Sequence, residues 1–230
     1  MTEAFTSEVG WGVLHLFCKL RADTDGEAVI MAVKAAAEGQ QVVPFSVFGH
    51  KADMGVMAVG ADWIRLRALQ AALQAARLEV VDSYVSMTEV SEYSQGMPAE
   101  HLDARLHPVL PPTGKRAICF YPMSKRRGEQ DNWYALGYEA RKALMMDHGK
   151  SGRTFAGRIV QLITGSTGLD DYEWGVTLFG VGLDDLKDCV YTMRFDEAST
   201  RYAEFGAFYA GIVGDIEEVA AQVGLQVADA

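Results

Sequence analysis

The chain has 230 residues, of which 49% are hydrophobic and 23% charged, as in an ordinary globular protein with a buried core. Its net charge of −10 argues against a nucleic-acid partner, which needs a basic surface. No apolar run is long enough to span a bilayer and the N-terminus lacks a signal-peptide pattern, so we expect a cytoplasmic protein. The cysteines are far apart and form no CxxC pair, which disfavours a disulfide framework or a zinc site. They are Cys18, Cys119 and Cys189.

The first part of the chain predicts a β-α-β-β-α-β order, which is that of a ferredoxin-like unit. Helical spacing is clearest at Leu66, Leu69 and Leu73. The predicted strands cover residues 11–20, 41–49, 53–60 and 79–90, and the predicted helices cover 25–38 and 62–78. We therefore predict an N-terminal ferredoxin-like domain over residues 1–95.

The same element order returns after a polar, proline-bearing stretch, which we predict to be a linker loop over residues 96–114. The predicted strands are 115–123, 157–164, 172–180 and 201–210, and the predicted helices are 132–148 and 183–193. Residues 115–213 are thus a second ferredoxin-like domain, and residues 214–230 a tail that forms at most a short helix. The predicted fold class is α+β, with two tandem βαββαβ units.

His148 continues an apolar series on the predicted helix 132–148, in which Leu136, Ala140 and Leu144 are spaced by four. The glycine that follows it, Gly149, predicts the end of the helix. A histidine in this position is either a core residue or a metal ligand. The other histidines show no spacing typical of a multi-histidine site. A single histidine ligand would suit haem iron.

Gln161 interrupts an apolar row, since Ile159, Gln161 and Ile163 share one face of a predicted strand. A buried amide without a partner costs a few kcal/mol (~2–7), so Gln161 faces a pocket or a ligand, unless the strand lies at the edge of the sheet.

The predicted strand 115–123 points small residues, a tyrosine and a methionine toward one side, which suggests a floor for a flat ligand or an ordinary core. These residues are Ala117, Cys119, Tyr121 and Met123. The basic cluster Lys125-Arg126-Arg127 follows directly; by itself it indicates a solvated turn.

Arg194 and Ser199 bracket a short acidic segment after the helix 183–193. Capping of a helix explains Asp196 and Ser199 without any further function. These four sets of residues become specific only when they are taken together.

Together they resemble the haem-binding half of chlorite dismutase-like proteins, and in particular the coproheme decarboxylases of Gram-positive bacteria. The resemblance covers most of residues 104–210 and keeps the order and approximate spacing of the family. Its motifs are ARLHP (104–108), CFYPMSKRR (119–127), DNWY (131–134), MMDHGKSGRTFAG (145–157), QLITGSTGLDDYEWGVTLF (161–179) and MRFDEASTRYAEFG (193–206). The chain departs from the family in a small insertion before Tyr121 and in a longer C-terminal tail.

The resemblance implies a role for each matching residue. His148 is the expected metal residue, the proximal ligand of the haem iron. Tyr121 is the expected radical-forming residue, and Lys125 is needed near the reacting propionate. Gln161 stands where chlorite dismutases carry a distal arginine and decarboxylases of this type carry glutamine. The expected cofactor-binding residues are Arg105, Met123, Arg194 and Ser199, of which the arginines and the serine hold propionates.

The function implied is peroxide-dependent oxidation of iron-coproporphyrin III (coproheme), in which two propionates lose CO₂ and become vinyl groups, giving haem b. The resemblance also implies a dimeric α+β barrel fold, a homo-oligomer (usually a pentamer), and hydrogen peroxide as co-substrate. A transient contact with a ferrochelatase is compatible with this function. The alternatives are a chlorite dismutase or haem peroxidase on the same fold, a non-catalytic haem carrier, and a barrel protein without a cofactor.

Overall fold

The computed structural model describes residues 3–94 and 96–226. Met1, Thr2, Gln95 and residues 227–230 lie outside the described residues, and with them the predicted end of the first domain and the end of the predicted tail.

The first unit has the predicted βαββαβ order, with shorter elements. Its strands are β1 (Gly12–Lys19), β2 (Gln41–Val47), β3 (Met54–Gly60) and β4 (Glu79–Thr88), and its helices are α1 (Gly26–Ala37) and α2 (Trp63–Ala75). Both helices start where an aspartate accepts a backbone N–H of the first turn, Asp25 from Ala28 and Asp62 from Ile64.

The predicted linker loop 96–114 is wrong in one respect, because it contains the helix α3 (Ala99–Leu106). Pro98 precedes this helix, and its fixed φ suits the entry to a helix. The expected propionate-binding residue Arg105 therefore lies on a helix and not on a loop.

The second unit repeats the predicted order of elements, but several of its helices and strands have other bounds than predicted. Its elements are β5 (Ala117–Lys125), α4 (Tyr138–Arg153), β6 (Ile159–Gly165), β7 (Trp174–Gly180), α5 (Leu183–Met193), α6 (Glu197–Thr200), β8 (Ala203–Phe205) and β9 (Tyr209–Val213). The predicted strand 201–210 is two strands, separated at residues 206–208. The predicted helix 132–148 begins later and runs on, so Gly149 lies inside α4 and does not end it.

The tail is also more structured than predicted. It forms α7 (Ile216–Val223), capped by Asp215, and buries Ile216, Val219 and Ala220 in the same apolar cluster as α1 and α2. Residues 214–226 are therefore part of the helical layer of the first unit.

The two units share one closed sheet. The strand order is β7-β6-β4-β1-β3-β2-β9-β5-β8, and the additional pairing of β5 with β7 closes eight of these strands into a barrel. The units meet at the pairings β4–β6 and β2–β9. Every strand of the barrel adds a side chain to its apolar interior, which includes Phe17, Phe45, Phe120 and Phe179. The predicted α+β fold with duplicated ferredoxin-like units is confirmed.

The outer faces of the two units are covered differently. Over the first unit, α1, α2 and α7 pack on β1–β3 around a large buried cluster. Over the second, α5 packs on β5 and β7, whereas α4 packs mainly against α5 and α6 and has no buried residue. On β6, Gln161 is exposed and Ile163 is 42% exposed, so the outer face of β6 is open.

His15 lies inside the barrel, fully buried, and joins the two units. Its Nε2 is 3.0 Å from Thr177 Oγ1 on β7, and its ring lies 4.2 Å from that of Phe120 on β5. Among the described residues its Nδ1 has no hydrogen-bond partner. Burial lowers the pKa of His15 from 6.5 to about 3, because the barrel interior disfavours the charged imidazolium.

The chain should therefore lose stability in weak acid. Between pH 6.5 and 3 the unfolded chain binds a proton at His15 that the folded chain does not, so the free energy of unfolding falls as pH falls. We expect His15 to account for a loss of roughly 2 kcal/mol between pH 7 and pH 5. Urea unfolding at both pH values, compared with His15→Gln, measures this. An equal loss in the variant would contradict the assignment to His15.

Candidate haem-binding site

His148 lies on α4 and is oriented by a carboxylate. Its Nδ1 is 3.0 Å from Asp196 Oδ2 and 3.4 Å from Ser199 Oγ. Asp196 is held in place because its Oδ1 accepts the backbone N–H of Ser199 and caps α6. The Asp196 side chain is only 7% exposed, which favours a well-defined geometry for the pair.

This arrangement suits a metal ligand. With Nδ1 donating to Asp196, the lone pair of the neutral imidazole is on Nε2, to which no described residue hydrogen-bonds. The described residues contain no group of three or more His, Cys, Asp or Glu side chains placed to hold a metal ion. The donor set at this position is thus a single imidazole with a carboxylate behind it, which fits a porphyrin iron.

Tyr121 lies on the outer face of β5, as the alternation of that strand predicts. Its ring stacks on Phe208 with centroids 4.5 Å apart and meets Phe205 edge to face at 5.6 Å. Burial raises the pKa of the Tyr121 hydroxyl, with smaller contributions from Cys119 and Cys189. In the described part of the chain nothing hydrogen-bonds this hydroxyl, so a neutral phenol is available to a ligand on the sheet.

Lys125 is buried, which contradicts the solvated turn that its basic cluster indicates by itself. Its Nζ donates to the Ala198 carbonyl at 3.1 Å and lies 4.4 Å from the centre of the Trp133 ring. Burial lowers the pKa of Lys125 to about 8, and the charges of Asp196 and Glu173 partly oppose this shift. The Lys125 ammonium group therefore loses its proton more readily than that of an exposed lysine.

The helix α6 brings these side chains together. Asp196, the partner of His148, caps its N-terminus, and the carbonyl of Ala198 in this helix accepts a hydrogen bond from the Lys125 ammonium group. Lys125 and Tyr121 in turn lie on the same face of β5, four residues apart. The structure thus connects the expected iron ligand to the expected radical residue through one short helix and one strand.

The remaining predicted residues lie around this set. Met123 is half-buried on the outer face of β5, and Gln161 is exposed on the outer face of β6. Ser199 faces the His148–Asp196 pair. Arg194 ends α5, and its exposed guanidinium forms no ion pair within residues 3–94 and 96–226. Arg105 is exposed on α3; its side chain contacts Ser94 Oγ at 3.5 Å and is not joined to the His148 pair.

Sequence reasoning missed three residues of this site. Asp196 was explained by capping alone, although it also binds His148. Trp133, under the Lys125 ammonium, and Glu173, beside its backbone, were not singled out. The sequence pointed to Glu173 only in that it is an acidic residue at the start of an otherwise apolar predicted strand.

None of the described helices is both long and apolar enough to cross a membrane.

The chain is similar to known proteins in sequence and in fold. Residues 22–214 match the family model described as chlorite dismutase. The chain is 39% identical to the coproheme decarboxylase of Staphylococcus carnosus, over 93% of this chain and 95% of that protein. A haem-binding protein from Thermus thermophilus superposes with a TM-score of 0.83 at 34% identity, covering 97% of this chain and 98% of that one.

The fold extends to more distant relatives. A chlorite dismutase from Candidatus Nitrospira defluvii has a TM-score of 0.75 at 18% identity, with 94% of this chain and 96% of that one covered. At that identity the likeness concerns the fold alone. The family match, by contrast, spans residues 22–214, and the coproheme decarboxylase of Staphylococcus carnosus is similar over nearly the whole chain. The chain belongs to the chlorite dismutase family.

Proposed function

We propose that the chain is a peroxide-dependent coproheme decarboxylase that converts iron-coproporphyrin III into haem b. The observation that carries the proposal is the connection of His148, Lys125 and Tyr121 through α6 and β5. The 39% identity to a coproheme decarboxylase over nearly the whole chain supports the same activity. A carrier that only bound haem would need the histidine but neither the lysine nor the tyrosine.

The substrate would lie against the outer face of the second unit. His148 Nε2 would bind its iron, and the apolar side chains of β5 and β7 would support its ring. The bound iron, with hydrogen peroxide, supplies the oxidising power for the reaction. The protein's own part is to hold His148 through Asp196, to place the Tyr121 hydroxyl near a propionate, and to present a cation at Lys125.

Four propionates require several cations in a protein of net charge −10. Arg194 and Lys125 lie near α6, and Arg105 lies on α3. Guanidinium groups bind carboxylates in a bidentate manner, so the arginines suit the propionates that stay intact. Gln161 offers an amide on the open face of β6, which can hydrogen-bond peroxide without acting as a strong acid or base.

Each decarboxylation is a two-electron oxidation. The propionic acid side chain and one hydrogen peroxide become a vinyl group, one CO₂ and two water molecules. Two molecules of peroxide are therefore expected for each haem b formed. This stoichiometry distinguishes the proposed reaction from bleaching or from peroxidase turnover.

The test is a titration of the chain, loaded with iron-coproporphyrin III, with hydrogen peroxide while product masses are followed. Stepwise loss of two CO₂ units, with two equivalents of peroxide consumed, supports the proposal. If the chain binds iron-coproporphyrin III but the mass does not change, the result would indicate a haem carrier and not a decarboxylase. Oxygen release from chlorite at a rate above the peroxide reaction would indicate a chlorite dismutase instead.

The same activity implies a domain organisation, an assembly, a cellular location and a partner. We propose two units over residues 1–95 and 115–213, of which the second holds the substrate, and a cytoplasmic homopentamer. A transient contact with a ferrochelatase would deliver the substrate. The mass of the assembly from light scattering tests the pentamer, and co-purification with a ferrochelatase tests the contact.

A further inference from the structure

Glu173 is a buried carboxylate to which the proposed function assigns no role. It lies just before β7, and its side chain is only 8% exposed. Its Oε2 accepts the backbone N–H of Lys125 at 2.8 Å, and its Oε1 forms an ion pair with Arg127. One carboxylate thus binds two residues of the segment that follows Tyr121.

The same carboxylate also reaches the other end of that segment. Residues 126–133 fold back on themselves, because the Trp133 N–H donates to the Arg126 carbonyl at 2.9 Å. The next residue, Tyr134, lies near Glu173. Burial raises the pKa of the Tyr134 hydroxyl most, and the Glu173 carboxylate raises it further. The Arg127 guanidinium lies 4.8 Å from the centre of the Tyr134 ring. Glu173 therefore binds the first limb of the loop that carries Trp133, and its ion-pair partner Arg127 contacts the second limb at Tyr134.

The Glu173 backbone is fixed to β5. Its N–H donates to the Met123 carbonyl at 3.1 Å and lies 3.2 Å from Ser124 Oγ, and its carbonyl accepts the Ser166 N–H at 2.8 Å. The carboxylate is thus placed by the sheet itself, and a rigid acceptor of this kind restricts whatever it binds.

We propose that Glu173 is a positioning residue, which fixes Lys125 between Trp133 and α6 and keeps its ammonium group charged for the reaction. This inference rests on the proposed function in so far as Lys125 acts on a propionate. Glu173 does not itself touch the substrate. It acts through the Lys125 backbone, through the Trp133 loop and through its negative charge.

Each element packed around Lys125 contributes a group that lies near its side chain. Glu173 faces it from the start of β7, Asp196 and the Ala198 carbonyl from α6, and the Trp133 ring from the loop. Arg126 is paired with Glu204 of β8 on the exposed side. Glu173 and Asp196 supply the negative charge near the ammonium, and Asp196 is shared with His148.

The decisive measurement is the titration of Lys125 in the substrate-free chain, followed by the NMR resonance of its ε-carbon and assigned with Lys125→Met. The unchanged chain should titrate at about pH 8. Glu173→Gln keeps an acceptor for the Lys125 N–H but removes the charge, so the midpoint should fall by about one pH unit. Glu173→Asp, which keeps the charge, should restore most of this difference.

The matched control is Glu204→Gln, which removes one negative charge from the neighbouring strand and leaves Glu173 intact. Its Lys125 midpoint should stay at the unchanged value. With substrate, Glu173→Gln should bind coproheme within about twofold of the unchanged chain. The alkaline limb of its decarboxylation profile should move to lower pH by the same amount as the NMR midpoint.

An unchanged Lys125 midpoint in Glu173→Gln would overturn the inference, even if activity fell. An equal shift in Glu204→Gln would also overturn it, because the effect would then be one of general charge. If the unchanged chain failed to decarboxylate coproheme, the proposed function would fall, whereas a shifted midpoint would still support the coupling of Glu173 to Lys125.

Discussion

Tyr121→Phe should bind coproheme with nearly unchanged affinity and yet form almost no vinyl product. The phenyl ring can keep its stacking on Phe208 and its edge contact with Phe205, so the floor of the site stays intact. What is lost is the Tyr121 hydroxyl, which the proposed reaction requires. We expect the rate of the first decarboxylation to fall about a thousandfold, equivalent to about 4 kcal/mol in the barrier.

The Tyr121 hydroxyl has the chemistry for this role. A phenol that stays protonated at neutral pH gives up its proton together with an electron, and the resulting oxygen radical can take a hydrogen atom from a nearby carbon. Tyr209→Phe is the control, since Tyr209 is also buried but its hydroxyl binds Asp82 at 2.5 Å. Mass analysis of single-turnover products measures both variants. A normal yield of haem b from Tyr121→Phe would exclude the radical role.

His148→Ala should have the second large effect, on binding as well as on chemistry. Without the imidazole the iron loses its proposed protein ligand, and we expect the affinity for coproheme to fall by at least about a hundredfold. Free imidazole should restore part of the absorption spectrum by entering the space of the lost ring. Decarboxylation should be almost abolished without it.

Asp196→Asn separates orientation from ligation at the same site. The imidazole remains, but the carboxylate that accepts from its Nδ1 is replaced by an amide. Loss of such a partner costs about 10- to 100-fold in metal affinity or activity, so its effect should be smaller than that of His148→Ala. His107→Ala is the control: this partly exposed histidine, paired with Asp103, is not joined to the His148 pair, and its loss should leave coproheme binding unchanged. Equal binding by His148→Ala and the unchanged chain would mean that the iron has another ligand.

The sequence predicted the order of the elements well because that order depends on local periodicity. It predicted α4 less well. Asn132 caps a turn of 3-10 helix at Trp133–Ala135, which resembles the start of a helix, whereas the α-helix starts after Gly137. Ala140 is exposed and no residue of α4 is fully buried. Leu136 and Leu144 pack only partly buried against the small cluster of Trp133, Ala198 and Tyr202, so the apolar series did not mark the main core.

The contacts that build the site were beyond local patterns. Asp196 and His148 are 48 residues apart, and so are Glu173 and Lys125. Nothing in the sequence around Asp196 distinguishes a residue that only caps a helix from one that also binds a histidine. Equally, a run of three basic residues indicates solvent exposure, and only the positions of Trp133 and Ala198 show that Lys125 is covered.

The closed barrel has a consequence for how the chain is made. Phe45 of β2 pairs with Val213 of β9, so the barrel cannot close before residue 213 has left the ribosome. Until then β2 has an unpaired edge, and α1 lacks the helix α7 that packs against it. A nascent chain that stops short of residue 213 therefore exposes a strand edge that can pair with other chains. We expect truncation from the C-terminal end to produce aggregation rather than a smaller folded protein.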